Sequence, residues 1–307
     1  MYRVAQPESQ VPARARVLTD LGAAAGISDP GLRRTRNEDA MALRRITDDT
    51  MVVAVADGVS VSHRPHEASR AAVDVAVDVL AAAVLDRADP VTATRQAAAE
   101  AATAVAALHR SDEGGTAPAC TFVSAVVSGG RTTVGWIGDS RAYWLAEQGR
   151  PPSQCLTTDD SWAGHAVRNG RQTPHEAYGD GRTGALWRWL GDAADREPAQ
   201  VATLETHGSG IFLLCSDGLW SYLWNSEELA AVVREADSPL SAASRLTRFA
   251  LDSGGRDNVT AVVVAVNGGT SDRSAQAGSS RKESTIPLTW GRTAWGSEPT
   301  SVNTVMP

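Results

Sequence analysis

Four short stretches of the 307-residue chain place an acidic residue at one end of an apolar run. These stretches are Glu38-Asp39-Ala40, Ala56-Asp57-Gly58, Ser216-Asp217-Gly218 and Asp257-Asn258-Val259. Carboxylate oxygens are ligands that hard divalent cations prefer. If the ends of the four runs converge, they predict one site for polyvalent cations. Asp-Gly after a strand is also an ordinary turn signal, so Asp57-Gly58 taken alone is compatible with a turn.

The run at 51–56 is the element that must hold the central acid. Its residues are small or branched, too few for a helix and rich in valine, which predicts a strand buried on both faces. Such a strand would present Asp57 and Gly58 at its open end on a rigid support.

The rest of the chain supplies elements for an α+β fold. Apolar residues at helical spacing, with a proline near each start, predict helices at 65–86 and 90–109, and two more at 227–235 and 240–251. Runs at 119–128, 131–138 and 141–146 predict a three-stranded meander. Helices that arrive in pairs between antiparallel strands favour two stacked sheets with helices outside each sheet.

The composition limits the classes of function. The net charge of -7 argues against a nucleic-acid-binding protein. No apolar run reaches the length of a membrane span, and the N-terminus lacks a signal-peptide core, so we expect a cytoplasmic protein. Cys120, Cys155 and Cys215 are odd in number and scattered, and buried free thiols are expected for them.

One domain with two tails is predicted. Residues 1–20 are polar with two prolines and are expected to be a loose leader, and 21–267 form the domain. Within it, 157–190 is charged, Gly-rich and without a clean period, which predicts a surface flap over the site. Residues 268–307 are rich in Gly, Ser and Thr and predict a disordered tail.

Five motifs in order resemble those of the metal-dependent type 2C Ser/Thr protein phosphatases of bacterial type. They are Arg34-x-x-Asn37-Glu38-Asp39-Ala40, Val55-Ala56-Asp57-Gly58, Gly138-Asp139-Ser140-Arg141-Ala142, Ser216-Asp217-Gly218 and Asp257-Asn258-Val259. The resemblance extends over about residues 22–267. It implies a four-layer α-β-β-α sandwich of two antiparallel sheets with helix pairs outside.

The resemblance also implies a set of cation ligands. Asp57 would bridge two Mn²⁺ or Mg²⁺ ions, with Glu38 and the carbonyl of Gly58 on one ion and Asp217 and Asp257 on the other. Asp39 and Asn258 would lie just outside these ligands, with Asp39 accepting hydrogen bonds from metal-bound waters. An oxygen-only set suits these metals and not zinc.

Two further residues have competing interpretations. Arg34 matches the arginine that binds the substrate phosphate, a task that suits its planar fork, but Arg33, Arg34 and Arg36 are equally typical of a solvated basic surface. Asp139 matches the acid that holds a third, weaker metal in the family, whereas its position between two predicted strands also fits a hairpin turn.

The chain departs from the family pattern beside the central acid and at the flap. The family commonly has Asp-Gly-x-Gly-Gly, and this chain has Asp57-Gly58-Val59-Ser60-Val61. No histidine follows Gly58 directly, so the leaving-group proton is expected from a metal-bound water rather than from His63. At the start of the flap, Asp160 replaces a histidine, for which we expect an altered preference for substrate or for the third metal.

The function implied is hydrolysis of phosphoserine and phosphothreonine in proteins by a water or hydroxide that bridges two divalent cations. The expected partners are phosphoprotein substrates and a Ser/Thr kinase with its targets, and the protein is expected to be a monomer. The alternatives are an inactive relative that binds phosphoproteins or a regulator, and a phosphatase of small metabolites.

Overall fold

The computed structural model of the chain describes residues 15–109, 115–147, 151–179, 185–191 and 197–267. Within these residues the chain forms eleven strands and seven helices. The strands are β1 (Val17–Asp20), β2 (Ala24–Asp29), β3 (Asp39–Arg45), β4 (Thr50–Asp57), β5 (Phe122–Ser128), β6 (Arg131–Ile137), β7 (Arg141–Ala146), β8 (Gln154–Cys155), β9 (Gln200–Glu205), β10 (Gly210–Cys215) and β11 (Val259–Val266). The helices are α1 (Pro65–Leu85), α2 (Pro90–Ala106), α3 (Trp162–Arg168), α4 (Pro174–Gly179), α5 (Asp217–Trp220), α6 (Ser226–Val233) and α7 (Pro239–Asp252).

The described strands form two antiparallel sheets that pack face to face. One sheet has the order β1-β2-β11-β10-β7-β8, and the other has the order β3-β4-β5-β6-β9. Helices α1 and α2 cover the outer face of the β3–β9 sheet, while α5, α6 and α7 cover the outer face of the other. The expected α+β fold, a four-layer α-β-β-α sandwich, is confirmed.

Strand β4 is buried on both faces, as its uninterrupted apolar sequence predicts. Its side chains alternate between the core shared by the two sheets and the core under α1 and α2. The inner side chains are Met51, Val53 and Val55, and the outer ones are Val52, Ala54 and Ala56. Because both faces are covered, the strand needs no polar alternation, and it holds Asp57 on a rigid element.

Small residues let the helices of this layer approach one another and the sheet closely. On α1, Ala68, Ala72 and Ala76 are four residues apart and fully buried, and Ala97 and Ala101 repeat this spacing on α2. Both helices begin with proline at their first position, where a missing N–H costs no hydrogen bond. The observed bounds lie within three residues of the predicted ones.

The predicted meander over 119–146 is wrong in its third strand. β5 and β6 pair with each other, but β7 pairs with β10 in the opposite sheet. Between β6 and β7, Gly138 has a φ of +98°, a left-handed conformation that favours glycine. The chain crosses from one sheet to the other at 138–140. The hairpin-turn interpretation of Asp139 is therefore also wrong, because the flanking strands are not paired.

The structure tests parts of the predicted domain boundaries. β1 lies inside the stretch 1–20 that we predicted as a loose leader, so the prediction is wrong there: residues 17–20 pair with β2. Residues 1–14 and the predicted tail 268–307 lie outside the described residues. The predicted flap contains α3 and α4, and its first residues are buried, including Asp159 and Ser161, so its start is part of the packed structure.

The three cysteines differ in their exposure to solvent. Cys120 and Cys215 are buried free thiols, as predicted, whereas Cys155 in the short strand β8 is exposed, contrary to the prediction. Among the described residues, no helix has the length and apolar character needed to cross a bilayer.

Candidate active site

The acidic residues singled out from the sequence meet at one end of the sandwich. Asp57 is the last residue of β4 and pairs directly with Asp39, the first residue of β3. Asp217 begins α5 two residues after β10 ends, and Asp257 lies two residues before β11 begins. Strand ends from both sheets therefore contribute carboxyl groups to the same region, which is the convergence that the sequence predicts.

Two glycines allow the backbone segments to come together here. A Cβ atom on Gly58 would lie 2.7 Å from the backbone oxygen of Pro65, and one on Gly218 would lie 1.8 Å from the backbone oxygen of Asn258. Neither backbone atom can move without shifting an element. The amide of Gly58 donates a hydrogen bond to the carbonyl oxygen of Glu38 at 3.1 Å, which fixes the two loops relative to each other.

Asp39 is buried and held by two hydroxyl groups. The hydroxyls of Ser216 and Thr260 each donate a hydrogen bond to its Oδ2 at 2.7 Å, whereas its Oδ1 is buried with no hydrogen-bond partner. Burial raises the pKa of Asp39 to about 7 against the lowering effect of the two hydroxyls, and the charges of Asp217 and Asp257 raise it further. The side chain is oriented, and one acceptor atom remains available.

The pKa values of Asp57 and Asp217 are both raised, first by burial and then by neighbouring carboxyl groups. Burial, followed by the charges of Asp39, Asp217 and Asp139, raises the pKa of Asp57 well above its usual range. The pKa of Asp217 is raised to about 6 by burial and by Asp257, although a hydrogen bond with Asp57 lowers it. Asp217 Oδ1 is also buried without a hydrogen-bond partner. Several like charges are therefore crowded into one region of low polarity.

A row of hydrogen bonds lies at the open side of this region. The hydroxyl of Ser60 donates to Oε2 of Glu38 at 2.8 Å and accepts from Nη1 of Arg34 at 3.2 Å. Arg34 Nη2 donates to Oδ2 of Asp257 at 2.6 Å. With 38% of its side chain exposed, the guanidinium lies between the acids and solvent. The structure thus joins Glu38, Arg34 and Asp257, three residues predicted for the site.

Asn258 holds the loop that carries Arg34 and Glu38. Its Oδ1 accepts a hydrogen bond from the amide of Glu38 at 2.7 Å, and its Nδ2 donates to the carbonyl oxygens of Pro30 and Arg36 at 3.0 and 2.9 Å. All of its side-chain contacts are thus with backbone. The side chain positions its neighbours, and its predicted place just outside the cation ligands stays a prediction.

Asp139 lies at the crossing between the sheets and is 4% exposed. Burial raises its pKa well above the usual range, with additional contributions from Asp217 and Asp159. The indole N–H of Trp220, in α5, donates to the backbone oxygen of Asp139 at 2.8 Å and so ties the crossing to the element that begins with Asp217. The carboxyl group belongs electrostatically to the acidic cluster.

These observations fit divalent cations in three respects. Asp39 and Asp217 each present a buried oxygen without a hydrogen-bond partner, the cluster has raised pKa values that a positive charge would reverse, and the donors are all oxygen. Among the described residues, no group of three His, Cys, Asp or Glu side chains has the arrangement needed to hold a metal ion. Glu38 accepts a hydrogen bond from Ser60, and Asp257 accepts one from Arg34. The roles of these residues as cation ligands therefore stay predictions.

Two residues have surroundings that the sequence did not suggest. Asp160 is 2% exposed, and it accepts hydrogen bonds from the amide of Gly138 and from Gln200 at 3.1 and 2.8 Å. It supports the crossing, and its expected effect on the preference for substrate or for the third metal stays a prediction. His66 contacts Arg36 at 2.6 Å, and burial together with that arginine lowers its pKa. His63 is exposed.

Sequence reasoning missed a buried ion pair beside the acids. Arg141, at the start of β7, donates two parallel hydrogen bonds to Asp159, at 2.9 and 2.7 Å, and both side chains are almost fully buried. The guanidinium lies 3.8 Å from the centre of the Trp220 ring and 4.5 Å from that of Tyr178. An arginine at the start of an apolar strand was the signal, because a buried charge requires a partner.

The described residues thus form an α-β-β-α sandwich in which carboxyl groups from both sheets lie at one end. A family model described as protein phosphatase 2C matches residues 33–251, and the chain belongs to this family. The Ser/Thr protein phosphatase PstP of Mycobacterium tuberculosis is 32% identical over 243 residues, which cover 78% of this chain and 44% of that protein. This chain therefore spans less than half the length of that relative.

Solved structures give the same result. The PPM Ser-Thr phosphatase MsPP from Mycobacterium smegmatis, in complex with cacodylate, has a TM-score of 0.66 and 31% identity, covering 78% of this chain and 97% of that one. The catalytic domain of PstP in complex with two manganese ions has a TM-score of 0.63 and 27% identity, covering 82% and 100%. Both likenesses place the acidic end of this chain within a phosphatase fold.

Proposed function

We propose that this protein hydrolyses phosphoserine and phosphothreonine in proteins with the help of two divalent cations, Mn²⁺ or Mg²⁺. The observation that carries the proposal is the meeting of Asp39, Asp57, Asp217 and Asp257 from both sheets at one end of the sandwich, beside a half-exposed arginine. Membership of the protein phosphatase 2C family supports it. The manganese ions named for the PstP catalytic domain support the choice of metal.

In this proposal the ligands are those that the sequence predicts. Asp57 would serve both ions, Glu38 and the carbonyl of Gly58 would complete one, and Asp217 and Asp257 would complete the other. Asp139 would hold a third. When bound, a cation pair of this kind lowers the pKa of water toward neutrality and offsets the charge of a phosphate monoester.

The chain's own residues orient these groups. Ser216 and Thr260 fix Asp39 through its Oδ2 and leave its Oδ1 available to bond water. Arg34 would bind the phosphate, and this role is supported by its partly exposed side chain and by its donors that Asp257 and Ser60 leave unused. Its fork and the acid cluster would bring a phosphoryl group and a nucleophile together in one orientation.

A single set of assays tests the proposal. Purified protein is given p-nitrophenyl phosphate and a phosphothreonine peptide with Mn²⁺ or with EDTA. We expect hydrolysis of both substrates with Mn²⁺ and none with EDTA. Arg34→Ala should raise KM for p-nitrophenyl phosphate by roughly 10-fold or more, while Arg33→Ala, the exposed neighbour, should not change it.

Other outcomes would favour the alternatives. Binding of the peptide without hydrolysis would indicate an inactive relative, and hydrolysis of small phosphorylated metabolites but not of the peptide would indicate a metabolite phosphatase. We also propose that the partner is a Ser/Thr kinase whose targets this protein dephosphorylates. The protein is proposed to be a monomer and to lie in the cytoplasm. Sedimentation velocity and cell fractionation would check the last two.

A further inference from the structure

Ser60 lies in the loop after β4, where the family pattern has glycine. Its hydroxyl donates a hydrogen bond to Oε2 of Glu38 at 2.8 Å and accepts one from Nη1 of Arg34 at 3.2 Å. A glycine makes neither contact. One hydroxyl therefore touches both a predicted cation ligand and the predicted phosphate-binding residue.

The contacts continue on the other side of Arg34. Its Nη2 donates to Oδ2 of Asp257, so Glu38, Ser60, Arg34 and Asp257 form one continuous row. Glu38 and Asp257 are the predicted ligands of different cations, and Arg34 lies between them. Without Ser60 the row would be interrupted between Glu38 and Arg34, and the guanidinium would be held from the Asp257 side alone.

A hydroxyl suits this position chemically. It is at once a donor to a carboxylate and an acceptor from a guanidinium, and it bonds only one oxygen of Glu38. Arginine has a large rotamer entropy, and the side chain of Arg34 is 38% exposed, so a second contact restricts it before any phosphate arrives. Restriction of a binding group in its bound orientation reduces the cost of binding.

We propose that Ser60 is a positioning residue that fixes Glu38 and Arg34 relative to each other and so couples cation binding to phosphate binding. The inference rests on the proposed function. It assigns a role to a residue at which this chain departs from the family pattern.

The first test measures Mn²⁺ binding by titration calorimetry, without substrate. Ser60→Ala and Ser60→Gly should weaken Mn²⁺ binding by roughly threefold to tenfold, and Ser60→Thr, which keeps the hydroxyl, should retain most of the affinity. Val61→Ala is the matched control, since Val61 is the next residue in the loop and is 84% exposed. Circular dichroism checks that each variant is folded.

The second test separates positioning from a general change of the loop. At saturating Mn²⁺, Ser60→Ala should raise KM for p-nitrophenyl phosphate by about threefold to tenfold and change kcat by less than about twofold. Inhibition by inorganic phosphate should weaken similarly. In an Arg34→Ala background, Ser60→Ala should have no further effect on that inhibition.

Two results would overturn the inference alone. One is a folded Ser60→Ala protein that binds Mn²⁺ and phosphate like the wild type, and the other is an equal effect of Val61→Ala. A wild-type protein that binds no Mn²⁺ and hydrolyses neither substrate would instead overturn the proposed function, and this inference with it.

Discussion

Two buried groups of charged side chains lie next to each other in this molecule, and they are built in opposite ways. In the Arg141–Asp159 pair, the charges are opposite and joined by two parallel hydrogen bonds, and aromatic rings lie against the guanidinium. In the acidic cluster around Asp57, the charges have the same sign and two buried oxygens have no hydrogen-bond partner. Trp220 lies against the guanidinium of Arg141 and donates a hydrogen bond to the backbone oxygen of Asp139.

The difference separates a structural role from a binding role. A paired and hydrogen-bonded charge tolerates burial, whereas crowded carboxylates destabilise the fold wherever they are ionised. The pair connects the start of β7 to the segment before α3, so it supports the crossing that carries Asp139. The cluster gains stability from an added positive charge, which is what a cation site requires.

The largest expected effect comes from removing one charge of the cluster. Asp57→Asn should lower the rate of p-nitrophenyl phosphate hydrolysis by roughly 1,000-fold or more. In EDTA, however, it should raise the free energy of unfolding by about 1–2 kcal/mol, because it removes a buried carboxyl group whose ionisation is disfavoured by burial and by four neighbouring carboxyl groups. Asp48→Asn, at an exposed position in the turn before β4, is the control. A loss of stability in Asp57→Asn would contradict the comparison.

Breaking the buried pair should act on stability instead. Asp159→Asn leaves the charge of Arg141 buried and unpaired. It should lower the free energy of unfolding, measured with urea, by about 3–5 kcal/mol. The double variant Arg141→Met/Asp159→Leu should recover most of this loss, since it leaves no lone charge. Glu235→Gln removes the exposed partner of Arg245 and should cost less than about 1 kcal/mol. Equal costs for the buried and exposed pairs would show that burial has no influence here.

The smallest effect is a pH dependence in EDTA. Asp39 has a pKa raised to about 7, so the folded protein holds a proton that the unfolded chain has released between about pH 4 and pH 7. The contribution of Asp39 to stability is therefore fully present below about pH 4 and is lost as the pH rises to about 7, by roughly 1–4 kcal/mol. Thermal unfolding in EDTA at pH 5 and 7.5 measures this loss of stability. Saturating Mn²⁺ should reduce the fall, and stability that rises with pH in EDTA would contradict the assignment.

Features of the fold and of the site that depend on local sequence pattern could be predicted from the sequence. β4 has an uninterrupted apolar run, α1 and α2 have helical spacing after a proline, and each acid lies beside such a run, so these features could be located without a structure. Sheet assignment depends on distant pairing. For that reason β7 was placed beside β6, although it belongs to the other sheet.

The contacts of single side chains were the least predictable. Nothing in the order of residues shows that Arg141 bonds Asp159 or that Asp160 bonds the amide of Gly138. Ser60 was visible only as a departure from a pattern. Its contacts with Glu38 and Arg34 depend on how two loops from different parts of the chain approach each other.

The acids are divided between the two sheets, and this division has a consequence for folding. Arg34 and Asp257 are hydrogen-bonded across 223 positions of sequence, so neither half of the chain contains all the residues proposed for the site. Closing such a distant contact is slow, because the intervening chain must lose its freedom first. The proposed hydrolytic activity should therefore be among the last properties to appear on refolding and among the first to disappear when the layers separate.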